Sequence, residues 1–134
     1  MASELRVNTL KDAAGNNSIA TSFVAGGSAK AWVNFNGTGT PAISDGLNGS
    51  SITDGGTGNY TFNMSNAMGN STYGFLGYCR SESTNATNVF VLTSDNTDTK
   101  TSSAFQVKTR YASSSSSGAF DSPEVCCEIN GDLA

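Results

Sequence analysis

The chain has 134 residues, one domain's worth, with seven cations against eleven carboxylates, a net charge of −4 and no histidine. Ser, Thr, Asn and Gly fill 64 positions, while Leu, Ile, Val and Phe fill only 24, so the composition suits a β-rich, loop-rich surface protein with a thin core that partner chains complete. These figures exclude His-based triads and His-ligated metals, they argue against nucleic-acid binding and membrane insertion, and the first eleven residues lack a signal-peptide layout.

Residues 1–30 hold few bulky apolar side chains: Leu5, Val7, Leu10, Ile19, Phe23 and Val24. Leu5-Arg6-Val7-Asn8-Thr9 alternates with period two, which predicts a strand. Asp12 to Asn17 is turn-forming, and Ala25-Gly26-Gly27-Ser28 reads as a flexible joint. The segment is therefore expected to be an extended docking arm. Leu5, Val7 and Leu10 would carry the docking by adding as a strand to a partner's sheet edge, or the arm would pair within its own domain or wind around neighbouring copies.

Residues 31–134 are expected to form the compact domain. Ala31, Val33 and Phe35 alternate with Trp32 and Asn34. Tyr60, Phe62 and Met64 follow the same period, as do Tyr73, Phe75, Gly77 and Cys79. Val89 to Thr93 is a continuous apolar run, which predicts a strand buried on both faces. Phe105, Val107, Thr109 and Tyr111 alternate again, and Val125, Cys127 and Ile129 close the pattern. Side chains alternate across a pleated strand, so one face of each segment can be buried and the other solvated. Asn36-Gly37, Asn48-Gly49, Asp54-Gly55-Gly56, Gly69-Asn70, Asp95-Asn96 and Asn130-Gly131 punctuate these runs, and Ser113 to Ser117 reads as a solvated hairpin tip. The fold class is all-β: a small antiparallel, jelly-roll-like sandwich.

Chemistry-bearing patterns are few. Cys79, Cys126 and Cys127 are an odd set and read as small packing side chains, with a Cys79 bridge to one of the pair as the alternative. Cys126 and Cys127 should face opposite ways on one strand. Asp95-Asn96-Thr97-Asp98-Thr99 offers calcium-type oxygens but lacks the Gly and distal Glu of a calcium loop, so a solvated turn is the stronger reading. Asp45, Asp54, Asp95 and Asp121 are the carboxylates from which a glycosidase pair would have to come, and no spacing brings two together. No catalytic residue, metal or cofactor is expected. Seven Asn-x-Ser/Thr sequons, at Asn16, Asn36, Asn48, Asn59, Asn63, Asn70 and Asn85, follow from the composition alone. Trp32, Tyr60, Tyr73, Tyr78 and Tyr111 are the candidates for a subunit interface or for stacking on sugar.

Three stretches resemble tail-fibre and other virion structural proteins of tailed bacteriophages, notably marine and cyanobacterial ones. They are Ser3 to Asp12 (SELRVNTLKD), Lys30 to Thr40 (KAWVNFNGTGT) and Leu47 to Met64 (LNGSSITDGGTGNYTFNM). In the last, family members often read as strand, Gly-rich turn, strand. The resemblance implies a non-enzymatic virion component assembled in the bacterial cytoplasm, commonly a homotrimer. Its partners would be itself, other head or tail proteins and a host surface glycan. Fibre proteins of this kind are usually much longer, so a short fibre, knob or capsid decoration fits better. The alternative is a carbohydrate-binding module using exposed aromatics.

Overall fold

The computed structural model describes residues 5–81 and 89–134. The chain order is β1 (Thr9–Lys11), β2 (Ser18–Ala20), α1 (Thr21–Gly27), β3 (Ala29–Asn36), β4 (Ala42–Leu47), β5 (Gly49–Asp54), β6 (Asn59–Met64), β7 (Gly74–Arg80), β8 (Val89–Thr93), β9 (Ala104–Ala112), β10 (Ser117–Ala119) and β11 (Glu124–Asn130). One sheet runs β4-β3-β11-β7. The other runs β5-β6-β9, with β10 beside β6 along the same edge of β9 and β8 on its other edge. Every strand pairing among the described residues is antiparallel.

The period-two segments decide what lies between the sheets. Val33, Phe35, Val125, Cys127 and Ile129 face Tyr60, Phe62, Phe105 and Val107, all 1% exposed or less. Phe35 meets Tyr60 edge-on at 5.2 Å, and Phe75 lies 4.3 Å from Phe105. The result is an all-β sandwich. Its hairpins β3–β4, β5–β6 and β8–β9 each stay within a sheet, so its strand order departs from the jelly roll, where most connections cross. The strand–turn–strand expected over Leu47 to Met64 is β5, a turn at Gly55 to Gly58, and β6.

The chain passes from one sheet to the other at Asn48, which has a left-handed backbone (φ 59°). Asparagine tolerates this conformation better than most residues. Its side-chain amide donates to the carbonyls of Lys30 (3.2 Å) and Asn66 (3.0 Å), and its Oδ1 accepts from the Asn66 backbone (2.7 Å) and side chain (3.1 Å). At the opposite pole of the sandwich, a Cβ on Gly37 would sit 2.5 Å from the Tyr60 hydroxyl, so only glycine fits there.

Three expectations are corrected. First, Leu5 to Asn8 forms no strand, and the arm is not simply extended. Residues 9–11 and 18–20 form a hairpin closed by Asp12, whose carboxylate accepts from the backbones of Asn16 and Asn17, and a helix follows. Strand pairing therefore starts where the turn can close it. Second, Ala25-Gly26-Gly27 is no loose joint but the last turn of α1. The Lys30 ammonium donates to the carbonyls of Ala25 and Ser28 and offsets the poor helix propensity of the two glycines. Third, Val89–Thr93 is an edge strand. Val89 is 61% and Val91 43% exposed, because among the described residues β8 pairs with β9 alone and its outer side chains meet no second layer.

Candidate interaction surfaces

Trp32, Asn34, Leu76 and Tyr78 alternate with core positions and so point out of the β4-β3-β11-β7 sheet. The strand register aligns them. Leu47 lies opposite Trp32, Trp32 opposite Glu128, and Glu128 opposite Leu76, giving one row across all four strands. The next row is Asp45, Asn34, Cys126 and Tyr78. Leu47, Leu76 and Tyr78 are 50%, 69% and 51% exposed, and Trp32 is half-buried. A shallow groove between β7 and β11 runs past Leu76, Tyr78, Cys126 and Glu128. At its end the Tyr78 hydroxyl donates to the Glu124 carboxylate, which holds the phenol above its ordinary value, and Glu124 also pairs with Arg80 at 3.4 Å.

Two of the proposed contact aromatics are not surface groups. Tyr60 is 1% and Tyr73 4% exposed. Tyr60 shares its strand face with Phe62 and Met64, and Tyr73 shares that of Phe75, so both rings fill the core and neither can meet a sugar or another subunit. Their hydroxyls are satisfied inside the chain. Tyr60 lies 3.0 Å from both the Gly37 carbonyl and the Asp121 carboxylate, and Tyr73 donates to the Thr101 carbonyl at 2.8 Å. Burial pushes each phenol up to about 12, with Asp121 adding to the effect at Tyr60. Tyr111 is half-buried and packs edge-on against Phe120. Parity had the information: Tyr60 stands two residues from Phe62, whereas Trp32 stands one from Val33.

The arm carries the second surface. Leu5, Val7 and Leu10 are 80%, 39% and 44% exposed, and Ile19, Phe23 and Val24 are exposed as well. Leu10 and Ile19 pair across the hairpin, so their side chains share one face. Helix α1 buries none of its residues.

The remaining candidates are engaged locally. The Lys108 ammonium lies 2.6 Å from Asp95 Oδ2 and also pairs with Asp98, filling the place a calcium ion would need. Thr97 donates its backbone N–H (2.9 Å) and hydroxyl (2.6 Å) to Asp95, so the segment is a turn tied by its own side chains. Asp45 and Asp54 accept from the Gly46 and Gly56 backbones, and Asp121 accepts from Gly58. Among the described residues, no three or more Cys, Asp or Glu side chains gather as a metal group. All three cysteines are free thiols. Cys127 is in the core, where burial pushes it up to about 12. Cys126 faces outward from the adjacent position, and Cys79 is half-buried on the core side. The Asn85 sequon and the beginning of the first phage-like stretch, Ser3-Glu4, lie outside the described residues. No helix among the described residues is long and apolar enough to cross a membrane. No family model, curated protein or solved structure matches the chain.

Proposed function

We propose that the chain is a non-enzymatic structural subunit of a tailed-bacteriophage virion, of the short-fibre, knob or capsid-decoration type. In this reading it is a homotrimer, its N-terminal arm fixes it in the particle, and the sandwich faces outward, toward a host surface glycan where one is met. The observation that carries the reading is the distribution of unsheltered apolar groups. Six of the twelve large hydrophobics exposed among the described residues lie in the arm, and three more lie on one sheet face. Exposed apolar clusters of this kind mark association surfaces. The phage-like stretches supply the setting and the number three. Closed cyclic symmetry lets each copy bury the same surfaces without leaving a growing end.

The test compares the full chain with residues 29–134. The shorter chain should keep the strand signature of the sandwich, because its core draws on nothing before Ala31. It should still associate in sedimentation and lose its incorporation into particles. A full chain that stays monomeric at micromolar concentration overturns the reading. A carbohydrate-binding module remains the second reading, and it rests on Trp32 and Tyr78, which share the outer face of one sheet. On that reading a glycan array detects binding that Trp32→Ala abolishes.

A further inference from the structure

Asn-Gly occurs three times, at 36–37, 48–49 and 130–131. A glycine carries no side chain to shield its backbone nitrogen, so that nitrogen can approach the preceding asparagine side chain closely. Whether it does depends on how firmly the fold holds the two groups. At the first site the Gly37 N–H donates to the Ser122 carbonyl at 2.8 Å. Asn36 Oδ1 there accepts from the Thr38 backbone (2.9 Å) and hydroxyl (2.8 Å). At the second, four hydrogen bonds fix the Asn48 side chain, and a Cβ on Gly49 would lie 2.8 Å from the Phe62 ring. The third site is held least. Asn130 makes one side-chain hydrogen bond, from Nδ2 to the exposed Glu128 carboxylate at 3.0 Å. Among the described residues its Oδ1 and the Gly131 N–H have no hydrogen-bond partner. The β11–β3 ladder is already irregular there, with a register shift between Ile129 and Asn130, and both residues of the dipeptide are half-buried, within reach of water. Packing nevertheless demands the glycine: a Cβ on Gly131 would lie 2.9 Å from Tyr73 Cβ and 3.0 Å from the end of the Met68 side chain.

We infer that Asn130 is a site of spontaneous deamidation in the folded protein, the first of the three Asn-Gly pairs to react. The Gly131 nitrogen gives its proton to solvent base and bonds to Asn130 Cγ. The Cγ–Nδ2 bond breaks, and the amide leaves as ammonia. Water then opens the cyclic imide. Attack at the side-chain carbonyl gives aspartate, and attack at the main-chain carbonyl gives isoaspartate, which lengthens the backbone by one methylene. No oxidant, metal or enzyme enters the balance, and the inference is independent of the assembly proposed above. Its effect is local. Either product sets a new carboxylate near Glu128, the group that accepted the lost amide, and replaces a hydrogen bond by like-charge repulsion. Asn130 pairs with Ala29 on one side and Gly74 on the other, so the change loosens the end of β11 where the arm joins β3.

The test is to hold the full chain, folded, in mildly alkaline buffer and to follow each Asn-Gly peptide by mass spectrometry. The mass gain of an amide turning into an acid should appear first at Asn130. Its rate should exceed those at Asn36 and Asn48 by at least about fivefold, the factor set by the backbone hydrogen bond or side-chain bonds that must open first at the other two. In concentrated urea the three rates should converge. Asn130→Gln, whose longer side chain forms the cyclic imide far more slowly, should remove the early mass gain. In the deamidated parent, amide hydrogen exchange should quicken at Ala29 and stay unchanged along β6 and β9. Equal or faster reaction at Asn36 or Asn48 in the folded chain overturns the inference. So does an Asn130 that reacts only under unfolding conditions. An early mass gain that persists in Asn130→Gln places the reaction at another residue and also overturns it.

Discussion

Asn48 and Tyr60 show how single side chains hold the two sheets in place. Asn48 combines a left-handed backbone with four side-chain hydrogen bonds at the crossing between sheets. Asn48→Ala loses the bonds and strains the backbone, so urea denaturation should show a loss of about 2–4 kcal/mol. Asn48→Gly restores the backbone freedom but not the bonds, and its stability should fall between those of the parent and Asn48→Ala. Tyr60→Phe removes the hydroxyl that joins Gly37 and Asp121 across the opposite pole, and should lose about 1–2 kcal/mol. Both core phenols are raised from 10.0 to about 12, so the neutral form is the one the fold favours. Their contribution is full below pH 10 and is lost as the pH rises toward 12. Absorbance at the phenolate band should therefore rise together with alkaline unfolding for these two rings, rather than near pH 10 in the folded protein.

Among the elements, β3, β6, β7, β9 and β11 were legible because each buries one face. The alternation of Val33 and Phe35 around Asn34 is the direct imprint of that burial. Strands β4 and β5 left almost no pattern. Ile43 and Ile52 are the apolar side chains they pack against the core, and the rest of each strand is held by backbone pairing. Leu47 was invisible for the same reason, whereas the outward aim of Trp32 and Leu76 followed from parity. Apolar content misled at β8, where an edge strand exposes Val89 and Val91. The Asp95 turn was ambiguous because its partner, Lys108, lies on a separate strand. Asp95 is held below 3.8 by Lys108 and Thr97, and Lys108 is held above 10.5 by the two carboxylates. The Asp95 contribution is present above pH 3.8 and lost as the pH falls through its lowered value, and the Lys108 contribution is lost only as the pH rises past 10.5. The difference in melting temperature between the parent and Lys108→Met should thus be steady near neutrality and shrink below pH 3.8. Millimolar calcium should leave the parent's melting temperature unchanged, and a rise would show that calcium displaces the ammonium.

At the scale of the molecule, the sandwich has two unlike poles. Ala29 pairs with Asn130, so the chain enters β3 and leaves β11 at the same end, near Asn48 and Tyr73. The other end carries Gly37, the Gly55 to Gly58 turn and, beyond them, the Ser113 to Ser116 tip between β9 and β10. An arm fixed in a particle would leave that tip pointing outward. A short peptide inserted between Ser114 and Ser115 should be displayed with little change in melting temperature, since among the described residues the loop's hydrogen bonds run between its own serines.

The same pairing of Ala29 with Asn130 sets how the molecule answers a pull. Tension between the arm and Asn130 acts across β3 and β11 and opens their ladder like a zipper, loading one rung at a time from Asn130 toward Val125. Tension between the arm and the Ser113 to Ser116 tip instead runs along the strands and is shared by many rungs at once. The sandwich is therefore mechanically weak against forces that separate its ends and strong against drag on its outer pole.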